Sequence, residues 1–182
     1  MKKTLEIVAT YCKGANNKVI QILEKLPDDQ LKKDMHAYFK SLSDTFLHMT
    51  MADANWLLRL KNLYPTSALL RSELLQTTGD DLKARMERKK EDLFLVRRTI
   101  DELYLEFITD LSEGNFDQII NYQGKTGDLQ SNELGNILLH LFNHQTHHRG
   151  AISAMLDMQG IENDYSGLMK YLPEKAKTAG SK

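Results

Sequence analysis

The stretch Ser131–Gly160, SNELGNILLHLFNHQTHHRGAISAMLDMQG, contains no proline and closes on a glycine. Leu134, Ile137, Leu138, Leu141, Ile152, Met155 and Leu156 recur at threes and fours, the spacing of one helical face. Ser131-Asn132-Glu133 reads as a capped start, and Gly160 stands where a left-handed C-terminal cap belongs. The spacing predicts one long helix over about Ser131–Gln159. A helix with a single apolar face must bury that face against other elements.

Working outward, the rest of the chain reads as helical too. A first helix is expected over about Thr4–Leu26, with Leu5, Val8, Val19, Ile22, Leu23 and Leu26 inward, ended by Pro27. Gly14 lies inside it at a cost of about 1 kcal/mol relative to alanine, which points to close packing there. A second helix is expected over about Lys33–Leu60. Its main stripe is Phe39, Leu42, Phe46, Met49, Trp56, Leu57 and Leu60, with Leu47, Met51 and Leu58 on another face. Residues 61–79 form a long connection with room for a short helix after Pro65. A third helix, over about Asp80–Leu111 and capped by Asp80 or Asp81, turns Leu82, Met86, Leu93, Val96, Ile100, Leu103 and Phe107 inward. Its run Arg88-Lys89-Lys90-Glu91-Asp92 reads as a solvated surface.

Residues 115–129 break the pattern and read as a short irregular strand or hairpin. Gly124-Lys125-Thr126 within them lacks the earlier glycine of a phosphate-binding loop. The expected fold is therefore all-α, a four-helix bundle with a short β or loop segment before the last helix. Residues 1–172 make one domain, with Tyr165, Leu168, Met169, Tyr171 and Leu172 able to lie against the bundle. Residues 173–182 are expected to form a disordered tail.

The charge is −1, from 24 lysines and arginines against 25 aspartates and glutamates in 182 residues. Spread along the chain, that balance argues against nucleic acid as a partner, which calls for a concentrated basic footprint. The start lacks the apolar run of a signal peptide, and no stretch approaches the roughly 20 apolar residues of a membrane span. Cys12, the single cysteine, suits a reducing cytoplasm and reads as a packed thiol in a helix.

Six histidines occur, four of them in His140-Leu-Phe-Asn-His144-Gln-Thr-His147-His148. On an ideal helix with His140 at 0°, the apolar face centres near about 110°, with His148 at about 80° and His144 at about 40°. His140 and His147, at 0° and about 340°, point away. Two imidazoles one turn apart on an inward face need occupants for their nitrogens. A shared divalent ion supplies one answer and ordinary polar partners another. A catalytic site usually takes three protein ligands. His36 and His48 are both candidates for the third, and Asp44 and Asp53 are possible carboxylate ligands or orienting groups. HExxH and paired Glu-x-x-His motifs are absent.

The segment Asn143-His144-Gln145-Thr146-His147-His148-Arg149-Gly150 resembles the Asn-His-x-x-x-His-Arg-Gly stretch of the DinB-like superfamily of bacterial metal-binding four-helix proteins. Leu47-His48-Met49-Thr50-Met51-Ala52-Asp53-Ala54-Asn55-Trp56-Leu57 is similar to the family's first histidine segment. Tyr11 with Ala15-Asn16 is a weaker match, and Gly14 departs from the aromatic usual there. The resemblance covers about Thr4–Gly160. It implies His48, His144 and His148 as ligands of one zinc or nickel ion. It also implies a long crossover between the second and third helices, a homodimer, and in some branches transfer of a low-molecular-weight thiol such as bacillithiol or mycothiol to electrophiles. Asp53, Asn143, Gln145 and Arg149 are then candidates to orient ligands or contact substrate. A metal-dependent hydrolase and a non-enzymatic, stress-associated metal-binding dimer are the alternatives, the former weakened by the lack of an evident general base.

Overall fold

The computed structural model describes residues 1–124 and 126–172. The expected disordered tail, residues 173–182, lies outside the described residues, as does Lys125 in the Gly-Lys-Thr turn. The chain forms α1 (Lys2–Leu23), α2 (Asp28–Leu31), α3 (Leu42–Leu63), α4 (Ser67–Arg71), α5 (Gly79–Arg88), α6 (Lys90–Asp110), β1 (Ile119–Gln123), β2 (Leu129–Glu133) and α7 (Leu134–Met158). The fold is mostly helical, with one small antiparallel sheet in which Ile119 faces Glu133 and Gln123 faces Leu129. Among the long helices, α1 packs on α6 and α7, and α3 packs on the same two. No helix among the described residues is long and apolar enough to cross a membrane.

One continuous core fills the space between these helices. Leu5, Val19, Phe46, Met49, Leu57, Ile100, Phe107, Leu138 and Ile152 are all fully buried within it. The apolar stripes read from the sequence are thus the packed faces, and burying each large side chain contributes about 1.5–3 kcal/mol.

The element boundaries differ from the expected ones in three places. The second long helix begins at Leu42, not near Lys33. Ser41, in extended backbone, accepts from the Asp44 amide at 3.1 Å and donates to its carboxylate at 2.7 Å. That cap starts the helix afresh and leaves residues 32–40 as a loop, so Phe39 is not part of the helical stripe.

The third expected helix is two helices, because Lys89 is extended (φ −145°, ψ 136°). The charged run spans this break, with Asp92 taking both Arg85 and Arg88 and Lys90 Nζ donating to the Leu26 carbonyl. Thr78, not Asp80 or Asp81, caps the first of the two.

The last helix begins at Leu134. Ser131-Asn132-Glu133 belongs to β2, and the first helical amides are satisfied by loop carbonyls instead of a side chain. Leu134 N–H donates to Gln118 O at 2.9 Å and Gly135 N–H to Phe116 O at 2.8 Å. Gly160 adopts φ +70°, the left-handed cap its position implied.

Beyond it the chain folds back along α1 and α7. Tyr165 is buried, its hydroxyl donating to the Arg149 carbonyl at 2.9 Å, whereas Met169 stays exposed. Tyr171 lies across α1 with its ring at Gly14. A Cβ added there would sit 2.7 Å from Tyr171 Cγ and 3.0 Å from its Cβ. The helical penalty of Gly14 is therefore offset by close approach of the returning chain. Gly14→Ala is expected to lower stability by about 1–2 kcal/mol, the overpacking cost outweighing the gain in helix propensity. Urea denaturation checks this, and a variant more stable than the parent would contradict it.

Candidate metal centre

His48 sits on the face of α3 that meets α7, and His144 and His148 are one turn apart on α7. The arrangement brings the three together. Their ligating nitrogens all lie within 4.8 Å of one another, and among the described residues no fourth His, Cys, Asp or Glu joins the group. Ring centroids are 4.3 Å apart for His144–His148, 4.7 Å for His48–His148 and 5.3 Å for His48–His144. His144 Nε2 and His148 Nε2 are 2.9 Å apart, one donating to the other.

Imidazole nitrogens about 2.0–2.1 Å from a tetrahedral ion lie about 3.3 Å from each other. The cluster is therefore of a size to close on a divalent cation with small side-chain adjustments. His148 is buried, and His48 and His144 are half-buried. Burial, reinforced by His144, His48 and His147, pushes the His148 imidazole down to about 4. It is therefore neutral at pH 7, the form that ligates a metal. The residues present fit a three-nitrogen site for a divalent ion, with no carboxylate or thiolate among the described residues to neutralise it.

The remaining histidines lie outside the group. His140 and His147 are exposed, as their helical angles implied, with rings 6.4 Å from His144 and 5.0 Å from His148 respectively. His36 is exposed on the loop before α3. Asp44 is used in the Ser41 cap.

Of the residues nominated to support the site, Asn143 is exposed on α7. Asp53 and Arg149 belong instead to a buried polar chain that crosses all four long helices. Arg97 Nη1 donates to Asp53 Oδ2 at 2.5 Å and Nη2 to Asp101 Oδ1 at 2.7 Å, while Tyr104 OH donates to Asp53 Oδ1 at 3.2 Å. Asn16 Nδ2 reaches Asp101 Oδ1 at 2.9 Å and Gln145 Oε1 at 2.9 Å. Arg149 Nη1 then donates to Asn16 Oδ1 at 3.0 Å.

Burial pushes the Asp101 carboxyl up to about 6 against the pull of Arg97 and Asn16. It raises Asp53 also, with Arg97 again opposing. The two neighbouring carboxylates hold Arg97 firmly charged. Arg149 also lies 5.1 Å over the Tyr11 ring and lines a cavity of about 220 Å³ with Tyr11, Thr146, Ser153 and Tyr165. Its other nitrogen is 3.6 Å from Cys12 Sγ. Cys12 is fully buried, and burial raises its thiol pKa, as expected of a packed rather than reactive thiol.

Sequence reasoning missed Arg97 and Asp101, while Gln145, a candidate to orient ligands, and Asn16, part of the weaker family match, are members of this buried chain. Arg97 and Asp101 stand one turn apart on the face of α6 that also carries Leu93, Ile100, Tyr104 and Phe107, and that spacing was the available signal.

A mostly helical protein in which two packed helices present three imidazoles to one point defines the class. The DinB family model matches residues 1–173, and the chain belongs to the DinB family. It is similar to Protein DinB of Bacillus subtilis (strain 168), with 26% identity over 170 residues covering 92% of this chain and 94% of that protein. No solved structure matches it.

Proposed function

We propose that this chain is a divalent-metal-dependent transferase that joins a low-molecular-weight thiol, of the bacillithiol type, to an electrophile. The observation that supports it best is the donor set: three imidazoles whose ligating nitrogens lie within 4.8 Å of one another, with no acidic member among the described residues. His48, His144 and His148 would hold one zinc or nickel ion. Bound there, the ion keeps its full positive charge and coordination room, and so favours the deprotonated form of a thiol or water.

In the transfer, the thiol sulfur forms a bond to the electrophilic carbon. Its proton passes to solvent, and the leaving group departs with its electron pair. The half-buried faces of His48 and His144 give the site its opening. Hydrolysis is the weaker reading because it calls for a positioned general base. Of the two carboxylates nominated from the sequence, Asp53 is already bound by Arg97 and Tyr104, and Asp44 is taken up in the Ser41 cap.

The same reading takes the fold as a four-helix bundle with its long crossover between α3 and α6, in a cytoplasmic homodimer. A non-enzymatic metal-binding dimer is its rival. A screen of small thiols against alkyl halides and epoxides, using metal-loaded and metal-stripped protein, separates the two. Thiol consumption is expected only with the loaded protein, and equal rates in both would refute the transferase.

A further inference from the structure

The loop ahead of α3 does something that neither helical periodicity nor the histidine triad calls for. Residues 32–40 are closed by the Met35 N–H donating to Lys40 O at 2.7 Å, with Met35 tucked into the core. At its tip His36 takes φ +56°, the one non-glycine residue in the left-handed region among those described. Asp34 Oδ1 steadies that conformation by accepting from the His36 amide at 2.8 Å. A left-handed non-glycine residue costs about 1–2 kcal/mol, and such costs concentrate where a particular placement is needed.

What the loop places is Phe39. Its ring stacks on His48 at 4.0 Å between centroids with only 23° between planes. The same ring meets His148 edge-on at 5.5 Å and 70°. Phe39 therefore touches two of the three clustered imidazoles, one from each helix. Tyr38 meets the Phe39 ring edge-on at 4.9 Å while remaining 93% exposed.

We propose that Phe39 is a positioning residue for the triad, fixing the plane of the His48 ring and shielding that flank of the site from water. The proposal rests on the triad being a metal site. An imidazole bound to a cation carries more positive charge than a free one, and a phenyl face against it is attracted through the ring quadrupole. A ligand ring already held in one orientation also loses less freedom on binding. An aromatic ring serves this role better than an aliphatic side chain of similar bulk, because the flat face and its quadrupole both contribute.

Cobalt(II) serves as the probe, since its visible absorption reports coordination geometry and its titration reports affinity. Phe39→Ala is expected to bind cobalt roughly tenfold more weakly, the lower end of the loss seen when outer-shell partners are removed, and to show an altered visible spectrum. Phe39→Tyr should restore both affinity and spectrum. Phe39→Leu keeps the bulk and serves if the alanine variant fails to fold. It should retain the parent's helical circular dichroism yet bind weakly.

Parent-like affinity and spectrum in both the alanine and the leucine variants would overturn the role of Phe39 while leaving the metal site standing. Full restoration by leucine would overturn the aromatic argument. A parent protein that takes up no cobalt overturns the metal reading and this proposal together.

Discussion

Arg97→Met is expected to lower stability by about 3–5 kcal/mol, the cost of stranding buried charge by removing one partner. Arg97 is fully buried and is the shared counterion of Asp53 on α3 and Asp101 on its own helix. Without it two carboxylates remain in the core, hydrogen-bonded by Tyr104 and Asn16 among the described residues and with Arg149 as the more distant cation.

The sign of the pH dependence follows from the same geometry. Asp101 already titrates near about 6 in the folded protein, against about 3.9 for an unfolded aspartate. A group whose folded pKa is raised gives stability that is present at low pH and lost as pH rises through the folded pKa. Removing Arg97 raises both carboxyls further, so the deficit of the variant should be larger at pH 8 than at pH 5. Urea denaturation at the two pH values reads it. A midpoint close to the parent's at pH 8 would mean that the buried chain contributes little to the fold. Arg71→Ala, which opens an exposed pair with Glu106, should leave the midpoint unchanged.

His48→Ala is expected to weaken zinc or nickel binding by more than about 100-fold, since losing a ligand should exceed the 10–100-fold cost of losing an outer-shell partner. The remaining pair, His144 and His148, lies on one helix and can offer only two nitrogens to the ion. His140→Ala is the matched control. It removes an exposed imidazole whose ring lies 6.4 Å from that of His144 but which is outside the cluster. Equilibrium dialysis of both variants against the parent measures the difference. Comparable losses in the two would show that the ligand set has been misassigned.

Much of this was legible in the chain, and the exceptions share a cause. Helical periodicity placed the cores of α1, α3, α6 and α7, because a repeating apolar face is a property of many residues at once. It also turned His144 and His148 inward and His140 and His147 outward. His48 needed a motif, since a lone histidine on a half-buried stripe carries no angular signal of its own.

Helix starts were misread where one local interaction decides them. The Ser41–Asp44 cap was written in the sequence but stood inside an uninterrupted apolar rhythm, and Phe39 was counted with the helix on that rhythm. At α7 the opposite error arose. Ser131 resembled a cap, but the carbonyls of Phe116 and Gln118 do that work, and nothing local announces a partner so far back in the chain. The buried chain that joins Asp53 to Arg149 is only faintly marked, by the spacing of Arg97 and Asp101, for a similar reason. Charged residues on a helix read as surface until the third dimension gives each a partner.

The central claim is that His48, His144 and His148 form one divalent-metal site. Elemental analysis tests it most directly, on protein purified without an affinity tag, supplied with zinc or nickel and dialysed free of excess. The expected result is about one ion per chain, falling to near zero in His48→Ala. A parent protein that retains no metal after supplementation would contradict the claim.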